Sequence, residues 1–456
     1  MNTPSQAANS NKSLLIEHLK LVNFRCFAEL EIDFHEKLTV LVANNGQGKT
    51  AILDAVATSL GSFVGAFDDG KDRGFASDDI RLIPVGQTNR MEQADHGVQL
   101  EARGRVDHTS AVWRRELRGP KSRTTRKDAQ TLTAFGKKLQ SQVRQEADGK
   151  IAGVCLPLVA CYPTDRLWNI RRLPYKPLPR SSRMVGYTHC LESGSDFGLM
   201  ADWFRYWSVN ASEERLKAQQ EGSSLSTHEF DDAIEAVRNA INLCLRPSGW
   251  GQMDFSMARQ EIVAHHSQFG QLPVAMLSDG IRSMLTLVAD IAFRAVKLNP
   301  NLGPWAATKT DGIVLIDEVD MHLHPAWQQT VLSSLQEAFP RIQFIVTTHS
   351  PQVLTAVPDE CVRVLTDGAA FGASPGTEGA EASRMLTRVF GVEARPPQSS
   401  ATQELTRYLE LVQSDQWACE EAIKLRAVLD QRYQGEEPAL LEADLLIENR
   451  KWELTQ

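Results

Sequence analysis

Between an apolar run, Leu38–Val42, and a helix-spaced set of apolar residues, Ile52, Leu53, Val56 and Leu60, lies the segment Ala43-Asn44-Asn45-Gly46-Gln47-Gly48-Lys49-Thr50. A strand, a glycine-rich loop and a helix in that order constrain the chain more than any other feature, because they set a strand end against the start of a helix. Gly46 and Gly48 let backbone amides turn toward phosphate oxygens, Lys49 is placed to reach β- and γ-phosphates, and Thr50 offers a hydroxyl to Mg2+. Asn44, Asn45 and Gln47 complete the candidate cofactor-binding loop. Ala43 stands where such loops carry glycine; it is tolerated if its φ is negative and strained if it is positive. An ordinary strand-to-helix turn is the competing reading, and the fit of the flanking strand and helix favours the nucleotide loop.

A second apolar run, Ile313–Ile316, ends in Asp317-Glu318, the pattern of a buried parallel strand with two acids at its carboxyl end. There Asp317 would join a Mg2+ shell and Glu318 would polarise an attacking water as general base. Without the upstream loop, an acidic turn closing a core strand would be the default. A third run, Gln343–Thr348, leads into His349-Ser350-Pro351. A lone histidine at a strand end is ordinarily a hydrogen-bonded surface group, so a phosphate-sensing role for His349 rests on the order of the motifs. Ser350 and Pro351 read as shaping the turn. Leu277-Ser278-Asp279-Gly280 opens a helical pattern, Ser278–Leu298, and by itself reads as a serine N-cap.

Taken in the order Asn44–Thr50, Leu277–Gly280, Asp317–Glu318 and His349, these motifs resemble an ABC-type ATPase head, and the order is more specific than any one of them. In ABC and SMC/Rad50 ATPases the Leu-Ser-x-Gly loop contacts the γ-phosphate held by the opposite subunit, which would make one chain half of an ATP sandwich. The start agrees. Leu19–Phe27, followed by alternating Leu30, Ile32, Phe34 and Leu38, is similar to the amino-terminal strand pair of RecF, SMC and overcoming-lysogenization-defect (OLD) ATPases. More narrowly, Ser278–Arg282, Asp317–Pro325 and Thr348–Pro351 resemble PtuA, the ATPase of Septu and Septu-like retron antiphage defence systems, over residues 14–395. The resemblance implies ATP and Mg2+ as cofactors, a homo-oligomer of ATP-sandwich dimers, and an HNH nuclease partner, PtuB. In a retron setting it adds a reverse transcriptase with its DNA. It also places Asp320 and His324 in the loop facing the partner subunit. A metal pair at His322 and His324 is disfavoured, since no third ligand lies nearby.

Leu277 follows Lys49 by 228 residues, so the 456-residue chain reads as one ATPase core with a large insertion. The expected fold is α/β: an ABC-type P-loop ATPase head with an antiparallel β subdomain, an inserted helical lobe and C-terminal helices. The boundaries follow as a disordered start at 1–12, head segments at 13–117 and 277–395, an insertion at 118–276, and helices for assembly or docking at 396–456. Arg118–Met276 has no heptad repeat and contains Pro157, Pro163, Pro174, Pro177, Pro179 and Pro247, which excludes a long coiled coil. Gly97–Leu117 reads as a hairpin flanking the base, Ile151–Tyr162 as a buried strand, and Asp202–Val209 with Phe230–Leu245 as the helical lobe. Arg166 is either a phosphate neighbour or a loop arginine, and no Q-loop glutamine is assigned.

Residues 103–150 hold thirteen Lys/Arg against five Asp/Glu, and Arg166–Arg183 adds six bases with no acid. Arg114, Arg115, Arg118, Lys121, Arg123, Arg126 and Lys127 could track a nucleic-acid backbone or form a solvated face. Residues 400–456 reverse the balance, with six bases against twelve acids. Their stripes, Leu405, Tyr408, Leu409, Val412 and Ala418, Ala422, Leu425, Leu429, either fold back on the head or dock to another protein. The seven cysteines show no metal spacing, no run of 18 apolar residues exists, and Met1–Lys12 is polar, so a cytoplasmic protein off the membrane is expected. Three function classes remain: an ATPase subunit of a defence complex, a RecF-like DNA-repair ATPase, and an OLD nuclease. The last requires a catalytic Asp-x-Asp pair. None occurs in the 107 residues after His349, so no nuclease chemistry is expected of this chain.

Overall fold

A computed structural model describes residues 12–85, 90–164, 182–192, 197–221 and 229–454. Arg166, most of the Arg166–Arg183 run and the polar start up to residue 11 lie outside the described residues. Two compact units form, Met1–Met385 and Leu386–Gln456.

The first unit is built on a six-stranded sheet of order β15-β14-β3-β13-β12-β8. Its members are β3 (Leu38–Val42), β8 (Leu158–Tyr162), β12 (Gly312–Ile316), β13 (Ile342–Thr348), β14 (Val362–Thr366) and β15 (Ala369–Gly372). All neighbours are parallel except the β14–β15 pair. β3, β8, β12 and β13 are buried at every position, which is why their sequences read as largely apolar runs rather than alternations. β3 delivers the chain into helix α1 (Lys49–Val64), in which only Thr50 and Asp54 escape burial. A helix apolar on all sides belongs in the centre of a core.

An antiparallel sheet of order β2-β1-β6-β7 forms a second layer from β1 (Leu14–Phe24), β2 (Phe27–Asp33), β6 (Val98–Val106) and β7 (Thr109–Leu117). β6 alternates buried and exposed positions, the period of a one-sided sheet. Asp107 and His108, both at positive φ, close the β6–β7 hairpin, as a two-residue turn with right-handed strand twist requires. Besides a two-stranded ribbon, β4 (Leu82–Val85) with β5 (Arg90–Gln93), and helix α2 (Gln130–Ala147), there is an inserted lobe of α3 (Phe197–Glu221), α4 (Glu229–Leu245) and a small sheet of β9 (Trp250–Ser256), β10 (Glu261–His266) and β11 (Gly270–Pro273), followed by α5 (Asp279–Leu298). The fold is thus α/β: a largely parallel six-stranded sheet with an antiparallel subdomain and an inserted helical lobe.

Three expectations change. The strand anticipated over Ile151–Tyr162 is only β8, since Gly153 at positive φ and Pro157 keep residues 151–157 out of the ladder. Lys12, placed in a disordered start, is buried, donates to the Glu36 carbonyl at 2.7 Å, and has its pKa pushed down to about 8 by burial. The basic segment divides between one arginine buried in the core and others that pair at the surface. Arg115 is fully buried on Asp72 and the Thr58 and Arg73 carbonyls, Arg126 shares Asp72, Arg114 pairs with Glu101, and Arg118 with Glu116.

The second unit contains helices Ser400–Gln413, Glu420–Tyr433 and Pro438–Leu454 around a core of Leu405, Tyr408, Leu411, Val412, Ala422, Leu429, Leu440 and Ala443. Most of the two stripes read from the sequence are therefore spent inside this unit. No helix among the described residues is long and apolar enough to cross a membrane.

Candidate active site

The loop between β3 and α1 turns on two glycines in the left-handed region, Gly46 at φ 82° and Gly48 at φ 89°. Gly48 is the N-cap of α1, and a Cβ there would lie 2.4 Å from Phe27 Cζ and 2.6 Å from Cys26 Sγ. Backbone conformation and crowding by the β1–β2 turn therefore both demand glycine. Ala43 is buried and is not among the residues at positive φ, so alanine carries no strain there. The first turn of α1 has neither an acidic residue nor a side-chain cap, which leaves its amides and dipole to an anion. Asn44, Asn45 and Gly46 are exposed, with Gln47 half-buried.

Lys49 is buried, its Nζ donating to the Ala43 carbonyl at 3.0 Å and the Asn44 carbonyl at 3.4 Å. Burial lowers its pKa, while Asp317, Glu318 and Asp320 pull the other way. The ammonium is thus held under a turn of backbone and faces the three carboxylates that follow β12.

At the end of β12 the Asp317 amide donates to the Tyr162 carbonyl at 2.8 Å, carrying the β8 pairing one residue beyond the strand. Its side chain, 4% exposed, accepts from Thr50 Oγ1 at 2.7 Å through Oδ2 and from Thr347 Oγ1 through Oδ1. The loop and the acidic strand, 267 residues apart in sequence, thus meet at one carboxylate. Glu318 follows at φ 47°, a left-handed conformation unusual for a glutamate. Its amide donates to Thr347 Oγ1 at 2.7 Å. Next, Asp320 accepts from Thr348 Oγ1 at 2.5 Å. Sequence reasoning missed the roles of Thr347 and Thr348; the signal was two adjacent hydroxyls closing a buried strand.

His349 follows β13 and is half-buried. Ser350 shapes the turn: its hydroxyl accepts from the Val353 amide at 3.2 Å and donates to Gln328 Oε1 at 2.7 Å. His324 caps the short helix after it by accepting from the Ala326 amide at 3.3 Å, and His322 is exposed.

Ser278 occupies the N-cap position of α5 but makes no side-chain cap hydrogen bond, and it is exposed. The capping role that would explain it structurally is not taken up. Asp279 pairs with Arg282 at 2.5 Å and Leu277 is buried. Gly280 is needed for close approach, since a Cβ there would lie 2.3 Å from the His322 carbonyl oxygen. The Leu277–Gly280 loop is therefore seated against the Asp320–His324 loop of its own chain. None of the hydrogen bonds or ion pairs among the described residues joins it to Asn44–Thr50. Further along α5, Asp290 accepts from Tyr162 Oη and from Arg294 Nε, both at 2.7 Å, and Arg294 Nη1 donates to the Gly186 and Thr188 carbonyls. Burial opposes the charge on Arg294, yet Asp290 raises its pKa; burial and then Asp290 push the Tyr162 phenol well above its usual value. This network fastens α5 to Tyr162 of β8, the residue whose carbonyl receives the Asp317 amide.

Two family models match the chain: one described as an AAA domain, over residues 18–243, and one described as an AAA domain, putative AbiEii toxin, Type IV TA system, over residues 228–355. The chain is similar to the Retron Ec83 probable ATPase of Escherichia coli, at 28% identity across 96% of this chain and 88% of that protein. It is also similar to the Septu protein PtuA of Bacillus mycoides, at 45% identity over 91 residues that cover 20% of this chain and 12% of that protein. Among solved structures, an SMC head bound to the C-winged helix domain of ScpA aligns over 80% of this chain and 98% of that chain, at 16% identity and a TM-score of 0.47.

Proposed function

We propose that this chain binds and hydrolyses ATP as half of a composite dimer, within an antiphage defence complex of retron or Septu type. The observation that carries the reading is the meeting of Thr50 and Asp317 at 2.7 Å beside the buried Lys49. Two hard oxygen donors at the start of an uncapped helix suit Mg2+, which would be held by Thr50 and Asp317 and would neutralise phosphate oxygens. Gly46, Gly48 and the α1 amides bind the phosphates, with Asn44, Asn45 and Gln47 lining the loop, and Lys49 supplies the positive charge. Glu318 accepts a proton from the attacking water, and His349 senses the γ-phosphate from the end of β13. Leu277, Ser278, Asp279 and Gly280 serve the nucleotide held by the partner subunit, which accords with the uncapped, exposed Ser278 hydroxyl.

The effector in this reading is a separate HNH nuclease, PtuB, as the resemblance to PtuA implies. A retron reverse transcriptase with its DNA is a further partner on the same footing. Direct tracking of DNA by Arg115 is disfavoured, because it is buried on Asp72, whereas Arg114, Arg118 and Arg126 stay exposed beside their carboxylates. Co-purification from the native operon tests the partner half: recovery of the chain without a nuclease under conditions that preserve the complex would remove it.

Complementation tests the composite site. A Ser278→Arg protein and a Lys49→Ala protein should each be inactive, yet their mixed dimer retains one site with both Lys49 and Ser278. Hydrolysis is expected to return in part on mixing. Demonstrated subunit exchange without any return of phosphate release would confine the Ser278 loop to its own chain.

A further inference from the structure

We propose that Thr347 and Thr348, at the end of β13, are positioning residues: Thr347 sets the two carboxylates after β12, and Thr348 ties the Asp320–His324 loop to the His349 turn. The proposal rests on the reading of Asp317 and Glu318 given above and extends it to the two threonines whose hydroxyls contact Asp317 and Asp320.

Thr347 is fully buried, and its hydroxyl is used in both directions. It donates its one hydrogen to Asp317 Oδ1 and accepts from the Glu318 amide, while its carbonyl accepts from the Val319 amide at 3.0 Å. One residue therefore fixes three consecutive ones across the strand end. Occupying Oδ1 leaves Asp317 Oδ2 turned to Thr50, which is the orientation a shared cation needs. The hydrogen bond from its amide also holds Glu318 at its positive φ, a strained conformation that persists only where neighbours enforce it. Because Thr347 is fully buried, loss of its hydroxyl removes that partner from both the Glu318 amide and the Asp317 carboxylate.

Thr348 repeats the device one residue on. Its hydroxyl donates to Asp320 Oδ1 and accepts from the Ser350 amide at 2.9 Å, spanning His349. A displacement of Asp320 is thereby passed to the backbone on the far side of His349. The geometry assigns a division of labour: Thr347 acts on cation and base, Thr348 on the link between loop and turn.

Valine keeps the shape of threonine and removes the hydroxyl, whereas serine keeps the hydroxyl. The test follows the Mg2+ dependence of binding of a fluorescent ATP analogue, kcat and KM for ATP, and the melting temperature, with Glu318→Gln as reference. Thr347→Val should bind the analogue as wild type without Mg2+, raise the Mg2+ half-saturation about 10-fold or more, and lower kcat about 10- to 100-fold. Thr347→Ser should restore both, and Thr348→Val should lower kcat at unchanged Mg2+ half-saturation. Should the valine protein not fold, Thr347→Ala carries the same comparison. Wild-type Mg2+ half-saturation in Thr347→Val, with or without a lower melting temperature, overturns the proposal, as does a Thr347→Ser protein no better than the valine one. A Glu318→Gln protein that turns over like wild type would instead sink the site reading beneath it, so the two failures are told apart.

Discussion

Replacing Glu318 by glutamine is expected to leave ATP binding intact and lower hydrolysis by about 100-fold or more, the effect of removing a general base. Such a loss corresponds to about 2.7 kcal/mol of transition-state stabilisation, larger than a surface substitution accounts for. Glutamine preserves the length of the side chain and the backbone amide that donates to Thr347, so the change isolates the proton acceptor. Closed dimers should accumulate with ATP, visible as a shift in size-exclusion elution, because the sandwich forms without being resolved. Phosphate release at the wild-type rate would take Glu318 out of this role. Lys49→Ala serves as the contrast and should abolish nucleotide binding itself.

The second large effect is on stability. Asp290 and Arg294 are both about 1% exposed in their side chains, and removing one partner of such a pair typically costs about 3–5 kcal/mol, because a buried charge is left without compensation. Asp290→Ala also strips the Tyr162 hydroxyl of its acceptor. Against a usual domain stability of about 5–15 kcal/mol, that loss should lower the denaturant midpoint and melting temperature markedly. Replacing Asp290 by leucine together with Arg294 by methionine should recover part of it, since the uncompensated charge is gone while the Gly186 and Thr188 carbonyls still lack their donor. An Asp290→Ala protein within 1 kcal/mol of wild type would show that water or rearrangement relieves the site.

Much of the core was readable because its chemistry is local. Strands β3, β12 and β13 announce themselves as apolar runs, the Gly46–Lys49 loop as punctuation between strand and helix, and the β6–β7 hairpin by its alternation. What escaped depends on partners distant in the chain. Thr347 and Thr348 look like ordinary strand residues until Asp317 and Asp320 arrive from a neighbouring strand end. The basic segment reads as a surface because the sequence does not show that Asp72 receives both Arg115 and Arg126. The stripes at Leu405–Val412 and Ala422–Leu429 look unpartnered because a third helix, Pro438–Leu454, has apolar residues spread around its circumference and gives no clear amphipathic signal. The candidate site is legible in its residue types, and its wiring is not.

The left-handed backbone at Glu318 sets stability against turnover at a single position. Glycine would adopt that φ at no steric cost, relieving strain of about 1–2 kcal/mol against roughly 0.5–1 kcal/mol of added chain entropy in the unfolded state. A laboratory selection for heat resistance alone would therefore tolerate or even favour Glu318→Gly while discarding the base. Under the proposed reading, only a selection that also demands catalysis would keep the acid at this strained position.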